Sequence, residues 1–168
     1  MSSSGVSPWE LEVAYGYFVA MFAVRQEELE PDPDFISVLK IEIPVQFSQE
    51  FFDWFGFRRW DKIKSLFKEM KRRRGSRKAI KLQLIFAGSP SVTFVADAMD
   101  KGLYDNSIEK IDFVLELLPY HLGPGRLPAN TTDVSYRYDG DARRWRFGSA
   151  TADGAEYEFK GEGWKKVS

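Results

Sequence analysis

The chain has no cysteine and one histidine, His121. The first absence excludes disulfides, thiolate metal sites and a cysteine nucleophile, and it fits a reducing compartment. The second argues against a metal centre built on histidine, because such centres draw on several ligands. Long apolar runs are also missing. The longest, 13–24, holds about a dozen residues, short of the roughly 18–20 needed to cross a bilayer. A signal peptide would carry a basic segment ahead of its apolar core, and Glu10 and Glu12 stand there instead. The expectation is an intracellular, cytoplasmic protein, nuclear if the source is eukaryotic, with no membrane contact. Asn130-Thr131-Thr132 matches a glycosylation sequon, which in a cytosolic protein is a chance match.

Catalytic signatures are scarce as well. There is no glycine-rich phosphate loop, no metal-ligand spacing and no nucleophile placed beside a base. The sequence therefore reads as a binding protein rather than an enzyme, with no cofactor and no metal site expected.

What is present suffices for a packed core. Of 168 residues, 43% are hydrophobic and 15% aromatic, the composition and length of a single folded domain over 1–168. Residues 1–6 are small and polar and read as a frayed tail. A helix follows, with Ser7 as N-cap, Pro8 at the first position and Glu10 three residues after the cap, the capping-box arrangement. The helix is expected to run to about Glu28, and from Val13 to Val24 it is apolar on nearly all sides, which predicts a buried helix. The prolines at 31 and 33 end it. From Phe35 to Phe47 apolar and polar residues alternate as in a half-buried strand, which Pro44 either ends or places at an edge.

Ser48 caps a second, aromatic-rich helix that Gly56 breaks. Beyond it Trp60, Ile63, Leu66, Phe67 and Met70 recur at helical spacing up to Gly75. Two strands, 80–86 and 91–97, form a hairpin. Residues 107–122 fit both a helix and a strand; length and a capping Ser107 favour helix. The C-terminal segment 129–168 carries three strand signals and reads as a β-meander or sheet extension. Together these predict an α+β fold: a mainly antiparallel sheet of about five to six strands packed against the buried N-terminal helix and one or two amphipathic helices.

One stretch departs from an even mix of charge. Residues 58–81 hold twelve Lys or Arg and two acids, a net +10 in a chain of net −1. On the helix, Lys64, Lys68, Lys71 and Arg72 recur at three- and four-residue spacing. Arg73, Arg74, Arg77 and Lys78 extend the patch into the following turn, and Lys81 continues it on the next strand. Clustered cations of this kind neutralise phosphates. The leading reading is a surface for a polyanion, RNA or DNA, made of these nine residues. The alternative is a protein-interaction surface, against an acidic partner or a second copy, or a solvated face balanced by the chain's own acids. The aromatics of the stretch sit at core spacing and are read as core rather than as base-stacking platforms.

A second basic group, Arg143, Arg144 and Arg146 around Trp145 with Arg137 nearby, could bind single-stranded nucleic acid, or could pair across strands with Glu156 and Glu158. Glu109, Asp112 and Glu116 would share a helical face near His121. That is a carboxylate group able to hold a cation or move protons, and equally a solvated acidic face.

Overall fold

A computed structural model describes residues 1–75 and 79–167. The fold is α+β. Nine strands among the described residues form one mixed sheet, accompanied by five α-helices and a 3-10 segment. In chain order they are β1 (Ser2–Ser4), α1 (Pro8–Val19), β2 (Glu27–Glu28), β3 (Ser37–Ile43), α2 (Gln49–Phe55), α3 (Phe57–Arg74), β4 (Ile80–Phe86) and β5 (Ser91–Ala96). Then come α4 (Lys101–Glu109), the 3-10 segment (Asp112–Leu117), α5 (Leu118–His121), β6 (Thr131–Asp139), β7 (Arg144–Ala152), β8 (Ala155–Lys160) and β9 (Gly163–Val167).

The strand order is β2-β1-β3-β4-β5-β6-β7-β8-β9. This corrects the expected five or six antiparallel strands. The pairs β1/β2, β3/β4 and β5/β6 are parallel, and the remaining five are antiparallel. Helical segments fill the connections from β3 to β4 and from β5 to β6, which is what lets those neighbours run in the same direction.

One face of the sheet builds the core. Leu39, Ile41 and Ile43 of β3, Leu82, Leu84 and Phe86 of β4, Val92, Phe94 and Ala96 of β5, and Tyr136 of β6 are buried there. Against them lie Phe51, Phe52 and Phe55 of α2, Trp60, Ile63, Phe67 and Met70 of α3, and Tyr104 and Ile108 of α4. The predicted stripe of α3 and the three phenylalanines of α2 are thus core, while Trp54 of α2 is exposed. Gly56 stands between the two helices with φ +94°, a backbone that L side chains rarely adopt.

Several local expectations change. The segment 1–6 is not a frayed tail: β1 pairs with both β2 and β3. Helix α1 begins with the predicted capping box, in which the Glu10 amide donates to Ser7 Oγ and the Ser7 amide to Glu10 Oε1. It ends at Val19 rather than near Glu28, because 20–26 pack as irregular chain. Nor is it buried on all sides: Glu10, Ala14 and Phe18 face in, while Trp9 and Val19 are exposed. Pro44 stands just past the end of β3, so it ends that strand, which lies inside the sheet. The ambiguous region is helical but starts earlier, with Asp100 rather than Ser107 as cap. The C-terminal meander has four strands, β9 being the one without an expected signal. Among the described residues no helix is long and apolar enough to cross a membrane.

Candidate anion-binding surface

Helix α3 carries most of the basic stretch, and its neighbours take up much of that charge. Arg74 lies against α1. Its Nη1 and Nη2 donate to the two Glu10 carboxylate oxygens at 2.6 Å each, its Nε donates to Ser37 Oγ at 2.7 Å, and Nη1 also reaches Met70 O at 2.9 Å. Ser37 Oγ in turn donates to Gly5 O at 2.7 Å. Burial pushes the Glu10 carboxyl up, but the bonds from Arg74 and Ser7 outweigh it and hold the group below its ordinary value.

Lys64 is buried on the other flank. Its ammonium donates to Glu109 Oε1 at 3.1 Å and to Asp112 Oδ1 at 3.3 Å, with Asp61 at 3.4 Å. Burial lowers the pKa of Lys64, and the Asp112 and Glu109 carboxylates more than reverse this. Lys68 joins the same cluster by bonding Glu109. That bond, ahead of the contribution from Lys64, holds the Glu109 carboxyl low. Lys71 is fully buried, its ammonium 5.8 Å from the centre of the Tyr104 ring. Burial depresses its pKa, against the opposing pull of Asp100 and Asp105. Arg72 chelates Glu69 one turn back, at 2.6 and 2.7 Å. Arg73 is exposed, stacks on Trp9 at 5.2 Å and lies 3.8 Å from Glu10. Lys81, half-buried on β4, sits 5.7 Å from the Phe35 ring. Arg77 and Lys78 fall outside the described residues.

Of the seven predicted residues that are described, three are turned toward the fold rather than to solvent. Lys64 and Lys71 lie in the apolar stripe with Trp60 and Phe67, and Arg74 is turned toward α1. The spacing 60, 64, 67, 71, 74 is itself helical, and that is the signal that distinguishes them from outward-facing lysines.

The α3 cations without a carboxylate partner among the described residues gather instead at the front of the helix. Arg58, Arg59 and Lys62 line a groove of about 380 Å3 with Tyr17, Phe55 and Gly56. Arg58 and Lys62 are exposed on consecutive turns. Arg59 is positioned by its bond to Phe55 O at 2.8 Å and by its place 5.2 Å from the Phe55 ring. Trp54 of α2 and Phe57, the first residue of α3, are exposed at 52% and 41%.

The other sequence-derived groups are placed as follows. Trp145 is core, its indole donating to Ser107 O at 2.9 Å. Arg146 pairs with Asp139 at 3.1 Å, while Glu158 lies across from Ser149 and reaches Lys160 at 3.2 Å, so the expected Arg–Glu pairs across β7 and β8 are replaced by these. Glu109 and Asp112 are committed to α3, and Asp112 also accepts from the Trp60 indole at 3.1 Å; Glu116 is exposed. Among the described residues no three His, Asp or Glu side chains are arranged to hold a metal ion. Compared with protein-family models, curated proteins and solved structures, the chain matches none.

Proposed function

We propose that this is a non-enzymatic binding protein that engages a polyanion, RNA or DNA phosphates, through the 58–81 surface, with the front of α3 as its principal contact. One observation carries the reading: Arg58, Arg59 and Lys62 line a single groove and keep no carboxylate partner among the described residues. Arg72, Arg73 and Lys81 extend the surface, whereas Lys64, Lys71 and Arg74 serve the fold. Phosphate contacts supply affinity without base information, so RNA and DNA are equally suited. The exposed rings of Trp54 and Phe57 and the Tyr17 lining give bases something to stack on.

The test is the salt dependence of affinity for a single-stranded and a double-stranded oligonucleotide. Log affinity should fall by roughly 0.7–0.9 per phosphate contact for each decade of salt. Replacing Arg58 and Lys62 with Gln should weaken binding and flatten that slope by about two contacts. Absence of binding at low salt, or a slope unchanged in the variant, would refute the reading.

A second reading, an acidic protein partner or a second copy, is favoured by the same exposed Trp54 and Phe57 next to arginine, the residue types enriched in protein interfaces. Sedimentation at low and high salt without nucleic acid separates the two: a salt-sensitive oligomer supports the second.

A further inference from the structure

The segment after α4 turns back over the sheet and leaves a cleft against β7 and β8. Leu117, Tyr120, His121 and Arg126 form one wall, and Arg144, Trp145, Phe147 and Phe159 form the other, around a cavity of about 280 Å3. That volume is near the lower end for small-ligand sites. Its floor is aromatic: Phe147 packs on Tyr136, His121, Phe159 and Trp164 with ring centres 4.8–5.5 Å apart. The mouth is cationic. Arg126 and Arg144 form no ion pair among the described residues, while Arg146, further along the same wall, is held by Asp139. His121 shares a hydrogen bond with the Tyr136 hydroxyl at 3.0 Å, which fixes the ring inside the cleft.

The charge around His121 is one-sided. Arg126 on its own segment and Arg144 on β7 both act on it, and with burial as the larger cause they hold the imidazole below its ordinary pKa. The Tyr136 hydroxyl, itself kept protonated by burial, adds no charge. An anion placed between the two guanidinium groups would meet charge-assisted donors, and a flat apolar body behind it would lie on the rings.

We infer that the cleft between 117–126 and β7/β8 is a binding site for an aryl anion, a planar ring bearing a phosphate or carboxylate, with Arg126 and Arg144 holding the charge and Tyr120, Phe147 and Phe159 holding the ring. This site is separate from the α3 groove and shares no residue with it. The ring-and-anion chemistry is supplied by a free small molecule or by a modified side chain of another protein. Phe113, exposed on the same segment and outside the cleft lining, would add contacts only in the second case.

His121 is the chain's one histidine, so its ring signals in a proton NMR spectrum report on the cleft alone. Phenyl phosphate is the probe, inorganic phosphate the control. Phenyl phosphate should shift those signals saturably and raise the pH at which His121 titrates, because bound negative charge offsets Arg126 and Arg144. The Arg126→Gln/Arg144→Gln double variant, altered only at exposed positions, should bind at least about tenfold more weakly. No saturable shift, an equal response to inorganic phosphate, or unchanged affinity in the variant would overturn the assignment. A short peptide carrying phosphotyrosine separates the sources. Binding that is tighter than phenyl phosphate and sensitive to Phe113→Ser assigns the ligand to a protein; equal affinity assigns it to a small molecule.

Discussion

Arg74 grips Glu10 with both terminal nitrogens across 64 positions of chain, at 2.6 Å on each side. Glu10 also completes the capping box of α1 by accepting from the Ser7 amide, so a single carboxylate closes the start of one helix and receives the last turn of another. Its side chain is 1% exposed and that of Arg74 13%. Breaking a buried pair by removing one partner leaves an uncompensated charge, a loss of about 3–5 kcal/mol. Glu10→Ala should therefore lower the free energy of unfolding by that order, measured by denaturant titration. A double variant, Glu10→Leu with Arg74→Met, should recover much of it. A loss below about 1 kcal/mol in Glu10→Ala would place the pair among ordinary surface bridges.

The same carboxylate sets an acid limit. Glu10 titrates lower in the folded chain than an unfolded glutamate, whose pKa is about 4.3. Its contribution is present above that value and is lost as pH falls through the folded one. Stability measured from pH 7 down to 3 should fall, and Glu10→Gln should flatten the fall. Parallel curves for the two proteins would mean that other carboxylates set it.

Lys64 gives the opposite sign at the alkaline end. Its folded pKa is raised by Asp112 and Glu109 over the effect of burial. The stabilisation is present below the unfolded value, about 10.4, and is lost as pH rises through the folded one. Lys64→Met should cost about 1–3 kcal/mol at pH 7, measured by urea unfolding. The difference from the parent should narrow as Lys64 deprotonates.

Trp145 ties β7 to α4 through its indole N–H and Ser107 O at 2.9 Å. Trp145→Phe keeps most of the ring and removes the donor, leaving a buried carbonyl unsatisfied. The expected cost is about 1–3 kcal/mol by thermal or denaturant unfolding. A cost near zero would mean that the carbonyl finds another donor.

Much of this architecture can be read along the chain, and the exceptions share a cause. The Ser7–Glu10 cap, the Gly56 break and the α3 stripe are local signals and appear where expected. Ser2–Ser4 carries no strand pattern because β1 is held by backbone bonds to β2 and β3 rather than by side chains. The end of α1 is hidden because Met21, Phe22 and Val24 stay apolar after the helix stops. Phe22 packs on Trp54 at 5.4 Å, and burial of irregular chain looks like burial of helix. The candidate site was the least legible. A lysine counts as +1 whether it faces water or a carboxylate from 45 positions away, as Lys64 does toward Glu109. Composition locates the charged segment; only the packing of α1 and α4 against α3 decides which cations stay available.

The sheet's connectivity also bears on how the chain acquires its shape. Strands β6 to β9 are consecutive and antiparallel, so each ladder closes a short loop. By contrast, β3 must find β4 across two helices, aligning Ser37 with Ile80, and β1 must find β3 across α1 and β2, aligning Ser4 with Val38. Closing long loops before contacts reward them slows folding. The C-terminal meander is thus the part whose ladders can close early, and the half of the sheet beneath α3 is the part whose assembly sets the rate.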